Sequence, residues 1–485
     1  MKKHRIVSVT DPNSNPITVI VMLAWPIFLE QVLVSLVQSV DTAMVGSLGA
    51  NATAAVSITQ NPINLINSVI LALGVGFTTM IARAVGAKQY EYSRLLIRQS
   101  IVVVIGLGIP LSALCFALSR KIPIWMGAAP EILDDAQTYI RIIAFSMLFR
   151  SLLMVLTAIF RGFGDSHTPM LVNIGINLLN VVGNFFFIYQ TREVTAFGHS
   201  FTVWGAGMGV GGAALSTTLS GILGSVVLLI ICFMPRSGPM RIFLNESFRP
   251  SWETLREVSR VSLPVMFERF TTSGAFVMTS AIIASLGTVS IAANSLAGQA
   301  ESLSFMPGFA FGTAATTLVG QSLGAGNEHL ARKYVKLSCI IGSVVMFFMS
   351  CVLFFGADAI ISIFTPDQRV IELGGKLLRI LAFIQVPQML AMVYSGALRG
   401  AGDTRSPFLI TLFSMWGIRI VGSVIVVKLL HKDLPWVCTA MCTDNIVRFF
   451  LYLWKYRQGK WVSAASPAHF EKKDSEPQQT ANNAN

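Results

Sequence analysis

RGFGDSHTP, Arg161–Pro169, returns 238 residues later as RGAGDTRSP, Arg399–Pro407. The same ungapped offset places Pro26 on Pro264, Glu30 on Glu268, Ser47-Leu48-Gly49 on Ser285-Leu286-Gly287, Gly74 on Gly312, Thr78-Thr79 on Thr316-Thr317 and Gly86-Ala87 on Gly324-Ala325. One offset serving every pair marks an internal duplication, and a duplication fixes the architecture before any single element does.

What is duplicated follows from composition. Of 485 residues, 53% are apolar and only 12% charged, about half the charge density of a soluble domain. Twenty Met, 32 Phe, 39 Gly and a mean hydropathy of +0.65 agree with a chain solvated largely by lipid. Apolar stretches predict twelve membrane spans, near 18–45, 53–82, 97–118, 138–160, 169–190, 206–233, 256–286, 291–321, 335–356, 374–398, 406–430 and 435–455. Each repeat then holds six spans. An even number makes both halves enter the membrane in the same direction, related by a pseudo-two-fold axis along the membrane normal, the plan of transporters with a cavity between halves. The predicted fold class is an all-α polytopic membrane protein.

The formal net charge of +12 does not form the clustered basic face with interleaved aromatics that nucleic acid requires. Lys and Arg instead fill alternate short loops: Lys2, Lys3 and Arg5; Arg83, Lys88, Arg94 and Arg98; Arg236, Arg241, Arg249 and Arg256; Arg332, Lys333 and Lys336; Lys455, Arg457 and Lys460. The positive-inside rule places these loops and both termini in the cytoplasm. The first apolar stretch is too long for a signal-peptide core and reads as a retained span. Six cysteines lie in or beside apolar segments without metal-type spacing and read as small hydrophobes. All six histidines fall in loops or tails, which excludes an intramembrane HExxH protease, and no GxxxxGK[ST] sequence occurs to bind ATP. A membrane hydrolase would need a nucleophile beside a base, and no such set is present.

Ionisable side chains at membrane depth are costly and mark candidate sites. Five acids qualify: Glu30 and Asp41 in span 1, Glu268 in span 7, Glu301 in span 8 and Asp444 in span 12, with Arg150, Arg269, Arg419 and Arg448 as counter-charges. Asp41 has Thr279 as its repeat mate, so this carboxylate belongs to the first half alone and reads as a cation or proton site. Glu30 and Glu268, each four residues after a proline, read either as paired sites or as groups that satisfy carbonyls freed by Pro26 and Pro264. Glu268 and Glu301 reach similar depth and could share a proton or hold a cation, or could each pair with an arginine. Asp444 and Arg448, at i,i+4, predict a local ion pair. The RG-x-GD loops read as helix caps and clamps, because Pro169 and Pro407 open the next helices. Five deep acids against four arginines favour cationic cargo.

Pro26–Gly46 (PIFLEQVLVSLVQSVDTAMVG), Ala292–Gly324 with ESLSFMPG followed by LVGQ, the doubled RG-x-GD loops and Gly459-Lys460-Trp461 together resemble the multidrug and toxic compound extrusion (MATE) family over about residues 18–461. The resemblance implies two six-helix bundles in a V, and export of amphipathic, often cationic drugs in antiport with H+ or Na+ by alternating access. Asp41 matches the family's span 1 coupling acid and Asn180 an asparagine of span 5 close to it. Proton-coupled archaeal-type members have a second acid where this chain has Asn184. A sodium-coupled bacterial branch has acids where this chain has Thr272 or Ser273 and Gln388, so Glu268 with Glu301 is the substitute candidate there.

The expectations are an N-lobe over 1–234, a linker over 235–255, a C-lobe over 256–461 and a polar, disordered tail over 462–485. Cation coupling is expected at Asp41, Asn180, Asn184, Glu268 and Glu301, with Na+ a candidate at Asp41 or at Glu268 with Glu301. No cofactor, ATP or nucleic acid is expected; the partners are small organic cations and membrane lipid, a monomer suffices, and the location is a bacterial cytoplasmic membrane. A lipid-linked oligosaccharide flippase of the wider superfamily is the alternative.

Overall fold

A computed structural model describes residues 9–11, 14–196, 199–234, 240–243 and 245–463. The expected disordered tail from 464 onward, the basic residues 1–8 and part of the linker lie outside the described residues.

The first half comprises α1 (Pro16–Gly46), α2 (Ala50–Gly86), α3 (Tyr90–Leu118), a short α4 (Lys121–Trp125), α5 (Pro130–Gly162), α6 (His167–Phe187) and α7 (Gly209–Phe233). The second comprises α8 (Trp252–Ala284), α9 (Thr288–Gly324), α10 (Glu328–Phe355), a short α11 (Ala357–Ser362), α12 (Gln368–Ala382), α13 (Gln385–Gly400), α14 (Arg405–Leu412), α15 (Val421–Val424), α16 (Leu434–Arg457) and a terminal turn, α17 (Lys460–Ser463). Helix starts carry local capping chemistry. Asn15 accepts from the Ile17 amide, Ser251 from Thr254 and Asn327 from Leu330, and prolines open α1, α5 and α16.

Nine helices among the described residues are long and apolar enough to cross a membrane, counting Arg405–Leu429 as one, and α12 with α13, bent by 49°, forms a tenth span. The remaining two, α8 and α16, are 33 and 24 residues long and fall short in apolarity because they carry Glu268, Arg269, Asp444 and Arg448. The total is the twelve expected. The span at 406–430 departs from a plain helix: Phe413–Ile420 and Ile425–Leu429 are π-helical. In the stretch that hydropathy leaves between spans, β1 (Gln190–Ala196) and β2 (His199–Ala206) pair antiparallel. Large side chains of α10, such as Val344, Phe347 and Phe348, are about two-thirds exposed, a surface that lipid covers.

The halves interleave. Val19, Ile20, Leu23 and Ala24 of α1 are buried in the core of α9, α10 and α13, and the Tyr334 hydroxyl donates to the Val9 carbonyl at 2.7 Å. In mirror fashion, Val258 of α8, the repeat mate of Ile20, is buried in the core of α2, α3, α5 and α7. Met240 and Ile242 from the linker join that same core, and Gln99 grips the linker through the Arg249 carbonyl and the Ser251 amide. Each half therefore lends the first turns of its first helix to the other half.

The basic end is also where the halves are sealed. Thr79 donates to the Arg399 carbonyl at 3.1 Å and its mate Thr317 to the Arg161 carbonyl at 3.0 Å. Arg83 donates to the Ala401 carbonyl and its mate Gln321 to the Gly162 carbonyl, both at 2.9 Å. Helices α2 and α9 touch backbone to backbone: a Cβ on Gly86 would land on the Gln321 carbonyl, and one on Gly324 on the Arg83 carbonyl. Among the described residues, the hydrogen bonds joining the halves cluster at this end.

Candidate functional site

The two RG-x-GD loops build one device twice. Arg161 and Arg399 occupy the last turns of α5 and α13 and reach back into the bundles. Arg161 pairs with Glu30 at 2.7 Å, and Asn173 donates to the other Glu30 oxygen at 2.9 Å. Arg399 holds Glu268 at 2.7 and 2.8 Å, with Thr411, the mate of Asn173, at 3.3 Å. Asp165 and Asp403 cap the next helices, each accepting from a backbone amide at 3.0 Å. The glycines between, Gly164 and Gly402, sit at φ 88° and 83°, where a side chain would be strained. The clamp reading is correct, but Glu30 and Glu268 face side chains rather than the carbonyls freed by the prolines.

Of the two readings of Glu268 and Glu301, a shared cation or separate arginine pairs, Glu268 takes the arginine pair. Both oxygens of Glu268 are taken by Arg399, and Arg269 adds a second positive charge beside them. Glu301 answers to Arg419 and to the Gln388 amide. Glu268, already neutralised by arginine, has little charge left for Na+ or for sharing a proton with Glu301.

The Asp444–Arg448 pair forms as its spacing predicts, at 2.6 Å, and gains Arg419 at 2.9 Å and Ser414. Its geometry depends on the π-helical Phe413–Ile420, whose wider turn brings Ser414 and Arg419, five residues apart, to the same carboxylate. Asp444 is fully buried and doubly neutralised, which makes it architectural.

Removing one partner from such a pair leaves an uncompensated buried charge. Arg399→Ala is therefore expected to destabilise the protein by about 3–5 kcal/mol, and Arg399→Ala with Glu268→Gln to recover much of it. Thermal unfolding of the purified protein in detergent checks both; a double variant no more stable than the single contradicts the pairing.

Asp41 stands apart. Asn184 donates to one of its oxygens at 2.5 Å. The Asn180 amide is satisfied in one orientation: with its oxygen on the Thr217 hydroxyl (3.1 Å) and amide (3.3 Å), its nitrogen donates to both Asp41 oxygens at 2.8 and 3.1 Å. Helix α1 supplies the acid, α6 both asparagines and α7 the threonine, with the Ser216 hydroxyl fixing the two last helices on the Asn180 carbonyl at 2.7 Å. Tyr139 feels the charge of Asp41, and Arg150 in turn acts on Tyr139. Among the described residues, Asp41 has amide partners and no arginine partner, unlike Glu30, Glu268 and Asp444. Sequence reasoning missed Arg161 and Arg399, which bring the deep arginines to six against five acids. The bare count therefore no longer separates cationic from anionic cargo.

The MatE family profile matches residues 26–186 and again 264–425, the same 238-residue offset that the repeat gives. The chain belongs to the MatE family. The "Probable multidrug resistance protein NorM" of Thermotoga maritima is 30% identical over 446 residues, covering 92% of this chain and 93% of that protein. Two solved structures share the fold at 23% identity and a TM-score of 0.84, each covering 96% of this chain and 99% of its own: a MOP superfamily transporter from Pyrococcus furiosus, described by a reversed polarity of its binding pocket, and a multidrug resistance MATE family transporter in an outward-facing conformation. This MATE protein is accordingly a polytopic membrane transporter of the multidrug efflux family with two six-helix bundles, not an enzyme, and its transport is ion-coupled.

Proposed function

We propose that this MATE transporter exports amphipathic, often cationic organic compounds across a bacterial cytoplasmic membrane in antiport with H+ or Na+, with Asp41 as the coupling acid. One observation carries the reading: Asp41 is held by two asparagine amides and pairs with no arginine, whereas Glu30, Glu268 and Asp444 each form an arginine ion pair and Glu301 has a single amide neighbour, Gln388, in the field of Arg419. Two amides and no fixed counter-charge leave its ionised state without a compensating cation, a demand that a proton or Na+ meets. Asn180 and Asn184 position the carboxylate, and Thr217 orients Asn180. Glu268 enters as a support of the second bundle, tied to Arg399, and so is not half of a joint cation site with Glu301.

The sealed basic end, taken as cytoplasmic, gives the second half of the mechanism. Bundles at 1–234 and 256–461, joined by the linker at 235–255, part at one end as they close at the other. The pivots are α1 and α8, each anchored at its start in the opposite half. Cation binding at Asp41 biases this equilibrium only through a difference in affinity between the two states. One chain contains both bundles, so a monomer suffices.

The test is efflux of a fluorescent cationic dye from proteoliposomes under an imposed pH gradient and, separately, an imposed Na+ gradient. Dye movement under one gradient names the coupling ion. Movement under neither, with translocation of labelled lipid-linked sugars in the same vesicles, overturns the antiporter reading in favour of a flippase.

A further inference from the structure

Helix α6 carries four asparagines, Asn173, Asn177, Asn180 and Asn184, at spacings of four, three and four, which put them on one face of an α-helix. Helix α1 runs beside it with its two acids at the same separation of eleven residues, so Glu30 meets Asn173 at 2.9 Å and Asp41 meets Asn184 at 2.5 Å. Between the acids, α1 offers only Val34 and Val37 on this face. The polar atoms of the seam therefore come from α6, over about 16 Å at 1.5 Å per residue.

Two of those atoms are buried without a partner: the Asn177 nitrogen, a donor, and the Asn184 oxygen, an acceptor. Each such group costs about 1–3 kcal/mol if left unsatisfied. The Asn177 nitrogen calls for an acceptor and the Asn184 oxygen, about two turns away, for a donor or a cation, and a chain of waters or the hydration shell of a cation supplies both. The repeat supplies a comparison within the same chain: the mates of the four asparagines are Thr411, Met415, Ile418 and Gly422. The half without a mate for Asp41 also lacks the asparagine face, so the ladder travels with the acid rather than with the architecture.

We infer that the asparagine face of α6 is a track along which the coupling cation reaches Asp41 from the side of the basic end, with Asn177 as the intermediate station. The inference rests on Asp41 being the coupling acid. The cation moves inside the first bundle, along the α1–α6 seam, and leaves the space between the bundles to the organic substrate. The charged and titratable groups around the track are Glu30 and Asp41 of α1 and Tyr139, Arg150 and Arg161 of α5, while α7 brings only hydroxyls. Asn177 acts as a positioning residue for the cation and touches no substrate.

The test measures cation flux and dye flux together in proteoliposomes, with a pH-sensitive dye trapped inside and 22Na+ as a second probe, for wild type, Asn177→Val, Asn177→Ser and Asp41→Asn. Asn177→Val is expected to lower the rate at saturating dye about tenfold while the half-saturating dye concentration and equilibrium dye binding stay unchanged; tenfold corresponds to about 1.4 kcal/mol. Asn177→Ser, which restores a donor, is expected to recover most of the rate. Wild-type flux in Asn177→Val, or a serine variant as slow as the valine variant, overturns the track. Flux surviving in Asp41→Asn overturns the coupling site itself, so the two failures are distinguishable.

Discussion

Asp41→Asn is expected to abolish gradient-driven dye efflux while leaving dye binding in detergent within a few-fold of wild type. The substitution keeps the shape of the side chain and the contact with Thr217-held Asn180, yet removes the deep acid held by two amides with no arginine paired to it. Such a variant resembles a permanently neutralised carboxylate: it no longer distinguishes the presence of the cation from its absence. A coupling free energy of about 1–3 kcal/mol, or about 5- to 150-fold in affinity, would be lost. Efflux in vesicles under the gradient that drives the wild type gives the result. Full efflux from Asp41→Asn would move the coupling to another acid, with Glu301 first, because its arginine also serves Asp444.

The second large effect lies far from that acid. Gly86→Ala and Gly324→Ala are each expected to cut transport by about an order of magnitude without unfolding either bundle. A methyl group on either glycine would overlap a backbone carbonyl of the facing helix, which is not the movable end of a side chain. The helices must then part at the sealed basic end. Overpacking of this kind costs about 1–3 kcal/mol, and it falls on one conformation only, so the balance between the two states shifts by about 5- to 150-fold. Initial rates of dye efflux, with the melting temperature measured alongside, separate loss of sealing from loss of folding. Wild-type rates in both variants would show that the α2–α9 contact is not part of the cycle.

Much of this molecule is readable in its sequence because duplication and hydropathy are both long-range signals. The offset that aligns RGFGDSHTP with RGAGDTRSP also aligns Thr79 with Thr317 and Gly86 with Gly324, which make equivalent contacts to the opposite half across the interface. Asp41 stood out because its mate is Thr279, and the polar ladder of α6 was visible as a spacing although only Asn180 and Asn184 drew notice.

Other features escaped for physical reasons. Depth along a span says nothing of the direction in which a side chain points, so the equal level of Glu268 and Glu301 leaves open both a shared site and an arginine pair such as Glu268 makes with Arg399. Arg161 and Arg399 looked like loop residues because they end their helices, yet a long side chain in the last turn reaches back into the bundle. Hydropathy marks an apolar face without naming its partner, hence the crossing of Ile20 and Val258 into the opposite halves was not visible. The alternation in QTREVTA and HSFTVWGA is averaged away over a span-length window. Nothing in FSMWGIRI signals a π-helical turn, whose cause is the convergence of Ser414 and Arg419 on Asp444.

In the proposed mechanism, cation occupancy at Asp41 decides whether the basic end is sealed. Glu91 and His329 are exposed repeat mates at the starts of α3 and α10, one in each half beside that end. Spin labels on Glu91→Cys and His329→Cys, in a chain freed of its six native cysteines, report the separation of the halves by pulsed electron resonance. The account predicts two distance populations whose ratio changes with the coupling cation in the wild type and is fixed in Asp41→Asn. A ratio that responds to the cation equally in both proteins would contradict it.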